Sequence, residues 1–202
     1  MNRSERLLDL AISPFDEAYK SIIGLPFGEG DTRSEPQRRT LFLTHEIDEY
    51  QGLAFDSLMQ QLCQAGDAPI YVIFNCPGGD ILVGFGMHDA IDLAQQAGSS
   101  VIGTVRGQAQ SMTPVVLQAC HTRRMTKNSY MMIHQGWSYL FGNQTEVERE
   151  VKWQRAIENR CNRILAARST FTAREIDAKI QAGNWYLDAK DALKFGFIDE
   201  IV

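Results

Sequence analysis

The run Ile70-Tyr71-Val72-Ile73-Phe74-Asn75, closed by Cys76-Pro77-Gly78-Gly79, decides the fold class of this chain. It is apolar without alternation and ends at a Pro-Gly-Gly turn, the pattern of a strand buried on both faces of a parallel sheet. Helical spacing follows from Val83 to Ala97, then a second strand at Val101-Ile102-Gly103-Thr104-Val105 and a helix from Met112 to Cys120. Pro114 sits in the first turn of that helix, where the missing N–H is tolerated. Upstream, Thr40-Leu41-Phe42-Leu43 reads as a strand, and Tyr50 to Ala65 as a helix with Leu53, Ala54, Leu58 and Leu62 on one face. Repeated strand–helix alternation needs crossover connections, so the expectation is an α/β domain with a mostly parallel sheet.

The second half continues the pattern. Arg124-Met125-Thr126 and Tyr130-Met131-Met132-Ile133 are strand candidates. Thr145 to Ser169 is a long helix with an apolar line at Val147, Val151, Ile157, Cys161 and Leu165, and Thr145 with Glu148 has capping-box spacing. Thr172 with Glu175 repeats that spacing, Gly183 ends the resulting helix, and Asp188 to Phe195 forms another. Between strand and long helix, Gly136 to Gly142 carries Trp137, Tyr139, Leu140 and Phe141, too irregular for a core helix and suited to contact with another subunit. Residues 1–38 differ in character: short helical stretches broken by Pro14, then a loop with Pro26, Gly28, Gly30 and Pro36. They read as an N-terminal arm or linker, and residues 39–202 as the packed domain.

Composition narrows the function. The chain has 202 residues, 44% of them hydrophobic, enough for one domain with a sizeable core. A net charge of −5 with scattered Lys and Arg gives no electrostatic case for nucleic acid. No apolar run approaches a membrane span and the N-terminus lacks a signal core, which predicts a soluble, unexported chain. Cys63, Cys76, Cys120 and Cys161 show no paired metal spacing and are expected to be reduced.

Three stretches carry chemistry. In Gly107-Gln108-Ala109-Gln110-Ser111-Met112-Thr113-Pro114, Ser111 falls where a strand gives way to a helix. It is either a helix cap, common for Ser, or a nucleophile beside free N–H groups at the positive helix end. Gly78-Gly79 after a strand lets the backbone approach a ligand and aim N–H groups at it, or is an ordinary turn. His134 ends the Tyr130–Ile133 strand, where open sheets deliver functional groups, whereas His45, His88 and His121 lack such a setting. Cys76 has no activating neighbour and reads as core.

Taken in order, Asn75 to Gly79, Gly107 to Met112, Met132-Ile133-His134-Gln135, and Leu187-Asp188-Ala189-Lys190-Asp191-Ala192 through Ile198-Asp199 resemble the proteolytic subunit of the Clp protease (ClpP) family. The resemblance implies a crotonase-like fold of repeated ββα-type units with a long handle-type helix. It implies a serine endopeptidase acting on peptides or unfolded proteins, with Ser111 as nucleophile, His134 as base, and the Gly79 and Met112 N–H groups as oxyanion hole. It further implies heptameric rings, usually stacked as a tetradecamer, formed by one chain or mixed with paralogues, and a AAA+ ATPase partner. The implied setting is the cytoplasm or a plastid stroma, with no metal or organic cofactor.

Departures from the family pattern accompany the matches. At the position of the family's catalytic aspartate stands Asn184, neutral and able to donate as well as accept; Asp177 and Asp188 are nearby carboxylates that could substitute. Gln110 and Thr113-Pro114 replace the small residues usual around Ser-Met. A ring subunit that cleaves weakly or not at all, and an acyl-CoA enzyme of the same fold, are the alternative expectations.

Overall fold

The computed structural model describes residues 39–202, so the expected arm at 1–38 lies outside the described residues. The strands are β1 (Thr40–Leu43), β2 (Ile70–Cys76), β3 (Val101–Gln110), β4 (Thr122–Met125), β5 (Tyr130–Ile133), β6 (Trp185–Asp188) and β7 (Glu200–Ile201). The helices are α1 (Glu49–Gln64), α2 (Ile81–Gln96), α3 (Thr113–Gln118), α4 (Gln144–Ala167), α5 (Ala173–Gln181) and α6 (Ala189–Lys194). They form one seven-stranded sheet in the order β1-β2-β3-β4-β7, with β5 paired to β3 and β6 to β5. Every pairing is parallel except β5 with β6. The α/β, mostly parallel expectation is met.

β3 is longer than its apolar start announces, because it serves two partners in succession. Residues Ile102 to Val105 pair with β4, and Gln108 to Gln110 with β5. Between these segments the β2 register jumps from Phe74↔Val105 to Cys76↔Ala109, so Arg106-Gly107-Gln108 bulges out of the ladder. Gly107 at φ 106° makes that bend, and a Cβ there would meet Asn75 Oδ1 at 2.6 Å. Its N–H is held by Ser129 Oγ at 2.8 Å.

The core lies between the sheet and α1, α2 and α3, with Phe55, Phe74, Met87, Ile91 and Leu117 fully buried. On β2, however, Ile70, Val72, Phe74 and Cys76 are buried while Tyr71 and Ile73 are half-buried. Burial of this strand on both faces is therefore incomplete within one chain. Arg39, placed by its sequence at the end of a loop, is buried and donates to the carbonyls of Leu62 at 3.0 Å and Ala68 at 2.7 Å. It thereby satisfies one acceptor in the last turn of α1 and one in the connection that follows it.

Helix ends follow the side-chain chemistry with one correction. Thr172 and Glu175 form the expected capping box of α5. For α4 the box is made by Asn143 and Glu146, not Thr145 and Glu148, because the helix starts earlier. The anticipated apolar line of α4 is covered only toward its C-terminus: Leu165 is 1% exposed, whereas Val151 is 50% exposed. β6 and β7 carry no strand signal strong enough to have been expected; they are short pieces held by pairing rather than by pattern.

Candidate active site

β2, β3 and β5 are parallel neighbours, so their carboxyl ends emerge on one edge of the sheet. The next residues after those ends are Pro77-Gly78-Gly79, Ser111 and His134. The topology thus brings together the three stretches singled out by their chemistry, at the sheet edge where open α/β folds bind ligands.

Ser111 does not cap the helix. The N-cap of α3 is Met112, without a side-chain cap hydrogen bond. Ser111 instead has φ 58°, alone among the described non-glycine residues in being positive. Such backbone costs a non-glycine residue about 1–2 kcal/mol and persists where surroundings impose it. Here the Ser111 N–H donates to the Met132 carbonyl at 2.9 Å, fixing the turn to β5. The result is a sharp strand-to-helix turn that presents Oγ 2.8 Å from His134 Nε2. That contact is the only hydrogen bond His134 makes with the described residues.

Gly78 and Gly79 fit against this turn. A Cβ on Gly78, at φ 96°, would fall 2.5 Å from Ser111 Cβ and 2.9 Å from Met112 N. One on Gly79, at φ 147°, would fall on the Ile47 carbonyl. The segment is pinned on its far side, where Ile47 N–H donates to Gly78 O and Asp80 N–H to Ile47 O, both at 2.8 Å. The N–H groups of Gly79 and Met112 find no acceptor among the described residues. Ser111 also adjoins two cavities. One, of about 410 Å³, runs under α4; the other, of about 570 Å³, is lined by Gly78, Gly79, Leu82 and Glu46.

Asn184, the remaining site residue expected from the sequence, is exposed and its amide donates to the Tyr186 hydroxyl at 3.4 Å. The two alternative carboxylates are engaged elsewhere. Asp177 accepts from Gln181 Nε2 at 2.6 Å, and Asp188 caps α6 by accepting from the Asp191 N–H at 2.8 Å. Cys76 is core as expected: burial pushes its thiol up, and Sγ donates to the His45 carbonyl at 3.0 Å. Burial also pushes Cys120 up to about 12 and Cys161 up to about 11, so both stay protonated at neutral pH. His88 has more of a setting than its sequence position suggested, since Asp92 one turn on brings a carboxylate oxygen 3.4 Å from Nδ1. The i,i+4 spacing was the available signal.

The fold and this site define a mostly parallel α/β protein with a serine–histidine pair on a strained turn at the carboxyl edge of its sheet. The Clp protease family matches residues 33–202, and the chain belongs to that family. A similar solved structure is an asparagine-to-aspartate mutant of ClpP1 from Listeria monocytogenes, with a TM-score of 0.72 and 23% sequence identity over 81% of this chain and 91% of that one. At that identity the likeness concerns the fold.

Proposed function

We propose that the chain is a serine endopeptidase of the ClpP type. Ser111 Oγ attacks the peptide carbonyl while His134 Nε2 takes its proton. The N–H groups of Gly79 and Met112 receive the developing oxyanion. His134 returns the proton to the leaving amine, and a water then repeats the cycle on the acyl-enzyme. The observation that carries this reading is the 2.8 Å Ser111–His134 contact on a turn held at positive φ. Family membership supports heptameric rings, stacked as a tetradecamer or mixed with paralogues, that enclose the site and receive unfolded protein from a AAA+ ATPase.

The test is labelling of the assembled chain by a fluorophosphonate. Stoichiometric modification of Ser111, abolished by Ser111→Ala and at least about a hundredfold slower in His134→Ala, is the expected result. Absence of labelling in a correctly assembled particle would leave the second reading, a ring subunit that cleaves weakly or not at all. That reading draws on one observation, the pairing of the Asn184 amide with Tyr186 instead of His134.

A further inference from the structure

The second cavity at Ser111, of about 570 Å³, is lined by two acids, Glu46 and Asp80, beside Ser111 and His134, and by no lysine or arginine. The cavity under α4 differs, because Arg155 stands among its acids. Glu46 and Asp80 are both exposed, so a ligand in the cavity can approach them. Their place is set by the backbone. Ile47 N–H donates to Gly78 O and Asp80 N–H to Ile47 O, each at 2.8 Å, and Ile47 bridges Gly79 in parallel. The chain at Glu46 therefore runs beside the glycine turn, and Asp80 is the residue that follows it. Ile47 is 1% exposed; in extended backbone its neighbour Glu46 faces the other way, out of the core. Asp80 caps α2 with Oδ1, which accepts from the Val83 N–H at 2.9 Å. Glu46 makes no hydrogen bond or ion pair with the described residues. Two carboxylates on one concave wall, without a cation beside them, give the cavity a negative potential.

Resting on the peptidase reading, we infer that this cavity takes a lysine or arginine of the substrate, and that Glu46 and Asp80 select it. Ile81 and Leu82, which also line the cavity, offer apolar surface to the aliphatic stem while the charged head stays hydrated near the two carboxylates. A glutamate or aspartate in the same place meets two like charges.

The test on the full chain uses quenched fluorogenic peptides of neutral composition in which one arginine is stepped through the positions on either side of the scissile bond. Each is compared with the same peptide carrying glutamine or glutamate there. At one position arginine should exceed glutamine in kcat/KM by about threefold to tenfold at low salt, the factor of one or two partly exposed ion pairs, and glutamate should fall below glutamine. The ratio should approach unity in Glu46→Gln with Asp80→Asn, substitutions that keep the side-chain shapes and the helix cap, and in about 0.5 M salt. No position that favours arginine, or a ratio unmoved in the double variant, overturns the inference. A second measurement does not need turnover: the same peptides, carrying a neutral dye, are titrated into Ser111→Ala and followed by anisotropy. Tighter binding of one arginine peptide than of its glutamine counterpart, lost when the two acids are neutralised, is expected; equal affinities throughout would sink the assignment. Failure of fluorophosphonate labelling removes the peptidase reading alone, and the binding comparison still decides the role of Glu46 and Asp80.

Discussion

Asn184 lies one residue beyond the antiparallel β5–β6 ladder, at the end where His134 leaves β5. The ladder runs from Tyr130↔Asp188 to Ile133↔Trp185, and one further step in the same register meets His134 and Asn184. Opposite residues of an antiparallel pair share a face of the sheet. Tyr186, two residues along, shares it too, which explains how its hydroxyl captures the Asn184 amide at 3.4 Å. Asn184 thus pairs with Tyr186 and makes no hydrogen bond to the second nitrogen of His134.

Replacing Asn184 by aspartate should raise peptidase activity. A carboxylate there accepts the Nδ1–H and stabilises the imidazolium formed when Ser111 attacks. In the serine-protease template the reverse change, aspartate to asparagine, lowers kcat by about 10⁴. A gain of at least about tenfold in kcat, with little change in KM, is expected for Asn184→Asp. Tyr186→Phe should add to it by removing the competing hydroxyl. Steady-state hydrolysis of a peptide by the two variants checks this; an unchanged rate would place the orienting group elsewhere.

Much of this arrangement is legible in the sequence, for reasons that differ by residue. Ile70 to Phe74 announced a buried strand because its apolar run has no competing period. Thr172 and Glu175 announced a helix start because capping depends on local hydrogen bonds. Ser111 was ambiguous, since a capping serine and an elbow serine share the same neighbours in sequence; only φ 58° and the Met132 carbonyl separate them. Trp185 to Asp188 carries no strand signal of its own because its pairing with β5 is long-range. Arg39 gives no sign in the sequence of being an anchor because its acceptors are backbone carbonyls of Leu62, Gly66, Ala68 and Pro69, far along the chain.

Gly78 should be far less replaceable than Gly66, although both have positive φ, 96° and 131°. Nothing lies within 4 Å of a Cβ on Gly66, so Gly66→Ala meets backbone strain alone, about 1–2 kcal/mol. A methyl on Gly78 strikes Ser111 Cβ and Met112 N as well. Gly78→Ala should therefore abolish fluorophosphonate labelling of Ser111, whereas Gly66→Ala should lower the unfolding midpoint and leave labelling of the folded protein intact. Equal labelling of the two variants would contradict the close approach.

The C-terminal segment depends on a paired charge. Asp199 accepts from Arg123 Nη2 at 2.5 Å and from the Arg123 N–H at 2.8 Å, and Arg123 is only 3% exposed. Burial works against the Asp199 charge, but these hydrogen bonds, with the nearby Arg123 and Arg168 charges, hold its carboxyl below the usual range. Asp199→Asn leaves Arg123 with a weaker partner besides Gln118 and the Gly196 carbonyl and, since Asp199 is partly exposed, should cost about 1–3 kcal/mol at pH 7 by urea denaturation. A carboxylate depressed in the folded state stabilises above its unfolded pKa of about 3.9 and loses that contribution as pH falls through the folded value. The gap between wild type and Asp199→Asn should accordingly be full at pH 7 and narrow below about pH 4. A gap that stays constant with pH would remove the electrostatic explanation.

The segment between β5 and α4 offers the clearest separation of folding from assembly. Trp137, Tyr139 and Phe141 are 76%, 79% and 90% exposed, and Trp137 packs edge-on against Tyr139 at 5.6 Å between centroids. Exposed aromatic side chains on this scale mark an interaction surface more often than chance scatter. Ser138 ties the segment to α4 by donating to Gln154 Oε1 at 2.7 Å, so the aromatics are presented from an anchored loop. Truncating a residue as exposed as Phe141 changes the stability of one chain by about 0.5 kcal/mol or less. Truncating one at a subunit contact splits the particle. Leu140→Ser with Phe141→Ser should therefore reduce the mass measured by light scattering while leaving the secondary structure of the released chain intact. An unchanged mass would show that this loop faces solvent in the assembly, and the aromatic cluster would then need a partner other than a second copy.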